Sequence, residues 1–353
     1  MKPFLKSIIL LYFIIIFISC NSNPLEEPIS PEELLQPGRR DYTWEEFILE
    51  PPESYNSVFL SSMWGDSTND IWVCGMAYLS KSQVWHFNGS TWSESGDFVP
   101  DRDQSAVWGS SANDIWMSSE IGKMFHFDGK EWTEKIKLKV DWYEYVCINN
   151  IWGISSNEIY ASGFCFQPIP TSPDQHYAYG VVFKYDGKEW KMLKLPIKYT
   201  NYFHVRKDKD GILYIATFST DTWSGEIYSY DGKVFTDLLT LNDIPNFEII
   251  DGYAYTQMDQ KLYKLKNGGY AEWKDLTGTD FNRGILGARS VKDFFALSKS
   301  GIGHYNGTDF VQIYALAQRV NVPATLLFEK DVFFLMPDHN INKTRILHGK
   351  LKD

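Results

Sequence analysis

The strongest constraint on the fold of this chain is a nine-residue phrase that returns at a fixed spacing. Its three clear copies are WGDSTNDIW at 64–72, WGSSANDIW at 108–116 and WGISSNEIY at 152–160. A second shared phrase follows each copy: HFNGSTW at 86–92, HFDGKEW at 126–132 and KYDGKEW at 184–190. The first phrases start 44 residues apart both times. Self-similarity at such a period indicates one supersecondary unit that is repeated along the chain.

The repeat continues in weaker form to the end of the chain. Later segments keep an acidic residue just before a short aromatic strand, and the second phrase returns as SYDGKVF at 229–235 and HYNGTDF at 304–310. The recurring aromatic residues define seven units: Trp72, Trp116, Tyr160, Tyr214, Tyr255, Phe295 and Phe334. Their spacings are 44, 44, 54, 41, 40 and 39 residues, and no unit shows the apolar period of a helix.

Each unit divides into four short strands. The first strand ends in Trp-Gly, and the S-x-N-D sequence after it suits a tight turn. The recurring aromatic residue lies on the second strand, and a variable loop leads to the third. An Asn-Gly or Asp-Gly pair then predicts a two-residue hairpin turn with positive φ, before a fourth strand that opens with Trp or Phe. Such units predict an all-β, seven-bladed β-propeller, with six blades as the alternative.

The two ends of the repeat region predict how the ring closes. The last unit stops after a third strand within TRILHGKLKD at 344–353, whereas DYTWEEFIL at 41–49 precedes the first unit. Trp44 occupies the place of a fourth-strand Trp. We therefore expect residues 42–49 to form the fourth strand of the last blade. This closure removes an unpaired sheet edge and joins the two ends of the domain.

The beginning of the chain differs from the repeats. Lys2 and Lys6 precede an unbroken apolar run of 11 residues at 8–18. The run is shorter than the roughly 20 residues of a membrane-spanning helix and suits the core of a secretory signal. It ends at Ser19 and Cys20 and resembles a bacterial lipobox, in which the signal is cut before a Cys that then receives lipid. Phe17 departs from the Leu that is usual there, and an ordinary signal peptide is the alternative.

These features predict three regions. Residues 1–19 form a lipoprotein signal peptide, and residues 20–40, which are rich in Pro and Glu, form a disordered tether. Residues 41–353 form the propeller domain. The resemblance to lipoproteins implies a place in the bacterial cell envelope, with the lipid in the outer membrane and the domain on its periplasmic or surface side.

The repeats resemble those of bacterial secreted propellers built from WG-S-x-ND-V-W and DG-x-x-W phrases, which are distant relatives of kelch and Asp-box propellers. The resemblance is strong in the first three units and weak in the last four. Asp128 and Gly129 are adjacent, whereas the Asp-box pattern separates its Asp from its Gly, and the double Gly of kelch second strands is absent. The resemblance therefore implies a secreted propeller fold and transfers neither sialidase nor kelch chemistry.

Charge and motifs argue against several classes of function. A net charge of −11 without a run of Lys or Arg argues against nucleic acid as a partner. No G-x-S-x-G, H-E-x-x-H, Walker or C-x-x-C motif occurs, so no catalytic residue, metal or cofactor is predicted. His86, His126 and His304 recur at one place in the unit, which favours a structural role. Cys147 and Cys165 could form a disulfide, and buried free thiols are the other interpretation.

The longest departure from the repeat is the best candidate for a functional site. Residues 164–180, FCFQPIPTSPDQHYAYG, lengthen the third unit between its second and third strands, and neighbouring connections are also aromatic. In a propeller these loops lie on the face opposite to the S-x-N-D and D-G turns, and loops on a rigid scaffold commonly bind ligands. Eight residues are predicted to bind the ligand: Trp142, Tyr143, Tyr145, Phe166, His176, Tyr177, Asp221 and Trp223.

The residue types at this face suit two kinds of partner. Aromatic rings beside carboxylates bind glycans, and Tyr and Trp also dominate protein interfaces. We therefore predict a monomeric, lipid-anchored, non-enzymatic binding or scaffold protein whose partner is a glycan or a protein. A carbohydrate-active enzyme, either a glycoside hydrolase or a lyase, is the alternative, and it requires carboxylates that converge in one pocket. Packing of the insertion on itself is the interpretation without a ligand.

Overall fold

The computed structural model describes residues 38–50, 58–77, 83–95, 104–119, 121–141, 145–169, 172–196, 202–219, 222–316, 321–338 and 342–352. Across these ranges the chain forms 28 strands and no helix. The strands make seven four-stranded antiparallel sheets, which are the blades of a β-propeller. The described part of the chain thus holds no helix long and apolar enough to cross a membrane.

The first three blades follow the chain in order. Blade 1 contains β2 (Val58–Ser67), β3 (Asp70–Ala77), β4 (Gln83–Phe87) and β5 (Trp92–Glu94). Blade 2 contains β6 (Gln104–Ser111), β7 (Asp114–Ser119), β8 (Lys123–Phe127) and β9 (Trp132–Lys137). Blade 3 contains β10 (Val146–Ser155), β11 (Glu158–Ile169), β12 (Ser172–Tyr185) and β13 (Trp190–Met192).

The remaining blades have the same order, except that the seventh takes its fourth strand from the beginning of the domain. Blade 4 contains β14 (Tyr202–Lys207), β15 (Leu213–Ser219), β16 (Ser224–Tyr230) and β17 (Phe235–Leu241). Blade 5 contains β18 (Phe247–Ile250), β19 (Tyr253–Met258), β20 (Lys261–Lys266) and β21 (Gly269–Asp275). Blade 6 contains β22 (Phe281–Ser290), β23 (Asp293–Ser298), β24 (Gly301–Tyr305) and β25 (Phe310–Ala315). Blade 7 contains β26 (Ala324–Leu327), β27 (Asp331–Asp338), β28 (Lys343–Leu351) and β1 (Tyr42–Leu49).

The innermost position belongs to the first strand of each blade. The first strands of successive blades contact one another from β2 and β6 round to β26 and β2, so the ring is closed. The seven recurring aromatic residues all lie on second strands and are at most 7% exposed. The prediction of seven blades is confirmed, and the six-bladed alternative is wrong.

The ring closes through the strand that the sequence predicted. β1 pairs with β28 from Tyr42 opposite Leu351 to Leu49 opposite Thr344. Tyr42 and Leu49 are buried, and the ring of Trp44 lies so close to Gly349 that an added Cβ would be 2.4 Å from it. The blade that contains both ends of the domain therefore has a full set of four strands.

The two repeated phrases of a unit contact each other. In blade 2, Gly129 has a φ of 91°, and a Cβ added there would lie 2.2 Å from Oδ1 of Asn113. A Cβ added to Gly89 would lie 2.5 Å from Oδ1 of Asn69, and one added to Gly187 would lie 2.3 Å from Oδ1 of Asn157. The turn between strands one and two thus packs on the turn between strands three and four. We call the face of the ring that carries both turns the turn face.

The Asn or Asp of the second phrase caps its own hairpin. In blade 1, Phe87 pairs with Trp92, and Asn88 N donates to Thr91 O at 3.3 Å. Oδ1 of Asn88 accepts hydrogen bonds from the backbone N–H groups of Ser90 and Thr91. The polar residue therefore precedes the two central residues of the turn, and the Gly is the first of them, where φ is positive.

The Trp residues of the first phrase fill the layers between blades. Trp64 of blade 1 lies against Gly109 of blade 2, where an added Cβ would meet its ring at 2.7 Å. In the same way, a Cβ added to Gly153 of blade 3 would lie 2.6 Å from the ring of Trp108 of blade 2. The Gly of the second and third copies is thus explained, because Trp64 and Trp108 each need a residue without a side chain on the next blade.

The recurring histidines are paired with the acidic residue of the first phrase. Nε2 of His86 lies 2.7 Å from Oδ1 of Asp70, and the same distance joins His126 to Asp114 and His304 to Asp293. A fourth pair, His348 with Asp331 at 2.6 Å, was not recognised in the sequence. Each His ring also packs on an aromatic ring of the second strand. These pairs join the second strand of a blade to the third and serve the fold.

Candidate functional site

The face opposite to the turn face carries the connections between blades and between second and third strands, and we call it the loop face. Among the described residues, its longest projection belongs to blade 3. β11 and β12 are paired with each other from Ile159 and Tyr185 out to Ile169 and Ser172. The neighbouring strand β10 begins at Val146, opposite Cys165, so the outer part of the hairpin extends beyond the blade.

This projecting part, residues 166–169 and 172–178, is named the arm. The sequence predicted a loop insertion at 164–180, and the structure corrects this prediction because most of the segment is a two-stranded continuation of the blade. Pro168 lies opposite His176 in this ladder. A proline is tolerated there because it is on an edge strand, where a missing N–H removes no ladder hydrogen bond.

An aromatic cluster occupies the base of the arm. The ring of Tyr145 lies 5.8 Å from that of Phe166, and Phe166 lies 5.1 Å from Phe164 in an edge-to-face contact. Phe164 and Phe166 are two residues apart on β11 and therefore share one face of the sheet. Their partners on β12 are the small residues Gly180 and Ala178. Tyr145 is 39% exposed, whereas Phe164 and Phe166 are half-buried, so the cluster is partly accessible.

A second aromatic group lies on the adjacent blade. Trp223 comes just before β16, between strands two and three of blade 4, and its side chain is 72% exposed. Its ring packs edge-on against Phe218 at 6.0 Å. The backbone of Trp223 has a φ of 50°, a left-handed conformation that disfavours residues other than glycine by roughly 1–2 kcal/mol. An exposed indole in a strained backbone is typical of a residue retained for contact with a ligand.

The predicted site residues therefore fall into several sets. Tyr145 and Phe166 are brought together in the first cluster, and Trp223 belongs to the second. His176 and Tyr177 have their backbones in β12, opposite Pro168 and Gln167. Trp142, Tyr143, Asp221 and Cys20 lie outside the described residues. Phe164 and Phe218 were missed, although the two-residue spacing of Phe164 and Phe166 is a strand signal that could have identified the first of them.

The cysteines of blade 3 do not form a disulfide. Cys147 is opposite Phe164, and Cys165 is the next residue along β11, so the two thiols point to opposite faces of the sheet. Neither of them forms a disulfide, and Cys74 does not form one either. Burial raises the pKa of Cys165 to about 11, so this thiol is not a nucleophile at neutral pH. The free-thiol interpretation is confirmed, although Cys147 is only partly buried.

Polar residues of the inner strands form a network between blades 3 and 5. Nη1 of Arg206 donates to Oδ1 of Asn150 at 2.9 Å, and its guanidinium lies over the ring of Trp152 at 5.8 Å. Burial raises the pKa of Glu248, and the charge of Arg206 opposes that shift only in part. Burial likewise lowers the pKa of His204 well below its usual value. The network connects inner strands, and its Arg is already committed to Asn150.

A groove of about 920 Å³ lies on the turn face between blades 2 and 3. Its lining includes Asp114, His126 and Tyr185. Asp114 is already bonded to His126 at 2.7 Å and to Ser110 at 2.5 Å, so its polar groups serve the repeated turn structure. Within the described ranges no three His, Cys, Asp or Glu residues are arranged to hold a metal ion. The loop face of blades 3 and 4 therefore remains the better candidate site.

Comparisons with known proteins give a likeness in structure only. No known family profile matches the sequence, and no curated protein matches it. Among solved structures, the chain is similar to "YCF48 bound to D1 peptide", with a TM-score of 0.60 and 14% identity over 90% of this chain and 100% of that one. It is also similar to YCF48 from Cyanidioschyzon merolae, with a TM-score of 0.54 and 12% identity over 86% and 98% of the two chains.

At these identities the likeness establishes the fold. The chain is a seven-bladed β-propeller, similar in architecture to YCF48. The resemblance to bacterial secreted propellers and the predicted envelope location stay predictions.

Proposed function

We propose that this protein is a non-enzymatic scaffold that binds a polypeptide partner through the loop face of blades 3 and 4. The observation that carries the proposal is the arm, a projecting hairpin with a partly exposed aromatic cluster at its base. Exposed aromatic side chains on a rigid scaffold are the usual anchors of protein interfaces. The similar propeller YCF48 has been solved with a peptide bound, which supports a peptide over a glycan as the partner.

The proposal includes attachment to the bacterial envelope through a lipid on Cys20. Gly38 N donates to Asn306 O at 2.8 Å, and Arg40 pairs with Asp309 at 2.7 Å. Asn306 and Asp309 belong to the turn between strands three and four of blade 6, so the domain is entered from the turn face. This geometry supports an attachment that leaves the loop face free for a partner.

Lipid attachment is tested by the intact mass of the full chain purified from membranes of the bacterium that makes it. We expect cleavage before Cys20 and a diacylglyceryl group on its sulfur, with Cys20→Ser found in the soluble fraction. A mature chain that begins at another residue, or that carries no lipid, would contradict this part of the proposal.

The binding proposal is tested with short linear peptides selected on the purified protein from a phage-displayed library. We expect Phe166→Ala and Trp223→Asn each to weaken peptide binding roughly tenfold or more, since interface hot spots are buried aromatic anchors. Trp223→Asn should leave the melting temperature unchanged or raised, because Asn tolerates the left-handed backbone better than Trp. Isothermal titration calorimetry and thermal denaturation give the two measurements.

The matched control is Tyr270→Ala on the fourth strand of blade 5. Tyr270 is 45% exposed and lies away from the loop face of blades 3 and 4. Its replacement should leave peptide affinity unchanged. The binding surface would lie elsewhere if Tyr270→Ala lost as much peptide affinity as Phe166→Ala and Trp223→Asn. The same would follow if all three variants bound the peptide as tightly as the wild type.

A further inference from the structure

No described strand covers the outer edge of β12 in the arm. We propose that the outer edge of β12 binds an extended segment of the partner protein, which adds to the arm as a further β-strand. This inference rests on the proposed function and specifies its mode of binding. Strand addition to an exposed sheet edge is a general mode of peptide recognition, in which backbone hydrogen bonds supply affinity.

The direction of the backbone groups on β12 follows from one hydrogen bond. Val182 O accepts from Leu193 N at 2.8 Å, so the backbone polar groups of Val182 point away from β11, toward the fourth strand. The β11–β12 ladder has no register shift between the pair at Ile159 and the pair at Pro168. Because backbone direction alternates along a strand, Gly180, Ala178 and His176 also present their N–H and C=O groups to the outer edge.

The fourth strand ends before it reaches these residues. β13 pairs with β12 only from Tyr185 to Phe183. After Leu193 the chain turns away, since Leu195 N donates back to Leu193 O at 3.1 Å. His176, Ala178 and Gly180 thus offer six backbone hydrogen-bonding groups along about 13 Å of edge that no strand in the described part of the chain pairs with.

The opposite edge of the arm is less suited to a partner. By the same alternation, Phe166 and Pro168 direct their backbone groups toward the side where β10 would continue. Pro168 has no N–H to donate, and proline on an edge is a common device that prevents strand pairing. The arm is therefore open on the β12 side and blunted on the β11 side.

The surroundings of the open edge suit a peptide with a bulky residue. Gly180 and Ala178 share a sheet face with Phe164 and Phe166, their partners in the ladder. An added strand would bring every second side chain onto this face, beside two small residues and within reach of the aromatic cluster. The cluster then supplies side-chain specificity, and the edge supplies the backbone hydrogen bonds.

The decisive variant is Ala178→Pro, compared with Ala178→Val. Proline removes the outward N–H and preserves the pairing with β11, whereas valine keeps the N–H and adds comparable bulk. Against the phage-selected peptides we expect Ala178→Pro to weaken binding about tenfold or more, and Ala178→Val about twofold or less. Both proteins should melt within a few degrees of the wild type, and light scattering reports their oligomeric state.

N-methylation of the selected peptide provides an independent test. If the peptide adds as a strand, methylation of alternate backbone nitrogens should abolish binding and methylation of the intervening ones should be tolerated. Equal binding to Ala178→Pro and Ala178→Val, or no period of two in the methylated series, would overturn strand addition. If Phe166→Ala still weakens the same peptides, the proposed function survives. A concentration-dependent dimer that Ala178→Pro abolishes would instead identify a second copy of the chain as the occupant and also overturn the proposal.

Discussion

Deletion of residues 42–49 is expected to abolish the cooperative folding of the whole propeller, although it removes only one of 28 strands. Without β1 the edge of β28 loses a ladder of eight residue pairs. Tyr42 and Leu49 leave the core, and Arg289 loses the hydroxyl of Tyr42, to which its Nη1 donates at 3.0 Å. Each buried side chain contributes roughly 1.5–3 kcal/mol, and Trp44 and Phe47 add partial burial.

The loss approaches the total stability of an ordinary domain, about 5–15 kcal/mol. The measurement is urea denaturation followed by Trp fluorescence and near-ultraviolet circular dichroism. Deletion of residues 21–36 is the matched control and should leave the transition where it is. A deletion of 42–49 that retained a single sharp transition at the wild-type urea concentration would show that the ring does not depend on this strand.

Gly129→Ala is expected to destabilise the protein by roughly 3 kcal/mol or more, from two separate causes. The backbone at Gly129 has a φ of 91°, which a residue with a Cβ adopts at a penalty of roughly 1–2 kcal/mol. The new Cβ would also lie 2.2 Å from Oδ1 of Asn113, so the Asn113 side chain would have to leave its place against the second phrase.

The chain provides a control that separates these two causes. Gly232 occupies the same place in blade 4 and also has a φ of 91°, but an added Cβ would meet nothing within 4 Å. Gly232→Ala should therefore show the backbone penalty alone, and the difference between the two variants measures the packing of the two phrases. Asn113→Ala in the Gly129→Ala background should recover much of that difference. Equal destabilisation by the two glycine variants would show that the phrases do not depend on each other.

Much of the fold was predictable because the signals were local and repeated. The glycines with positive φ, the Asn and Asp residues that cap hairpins, and the aromatic residues of second strands each act within one unit of the chain. Six or seven repetitions of such signals outweigh the ambiguity of any single copy. The closure of the ring was also predictable. The last unit lacked a fourth strand, and the strand at 42–49 belonged to no unit, so pairing the two completes the blade.

The candidate site was predictable in position and only partly in form. The insertion in the third unit was recognised because it breaks the repeat, but its three prolines within 164–180 favoured a loop. The structure contains a hairpin instead, because Pro168 lies where the strand has no partner for its missing N–H. The left-handed backbone of Trp223 had no sequence signal, since Trp is rare in that conformation.

The sequence by itself determined the propeller fold, the closing strand, the face on which the repeated turns lie and the blade that departs from the pattern. It predicted seven blades with six as the alternative, and the structure decided for seven. These properties follow from period and turn chemistry, which are written in short stretches of residues. Only the tertiary structure decided that Trp64 lies against Gly109 and that β12 extends beyond β13 to leave one edge open. Both depend on where separate strands come together and where each one stops, and neither position is specified by neighbouring residues in the chain.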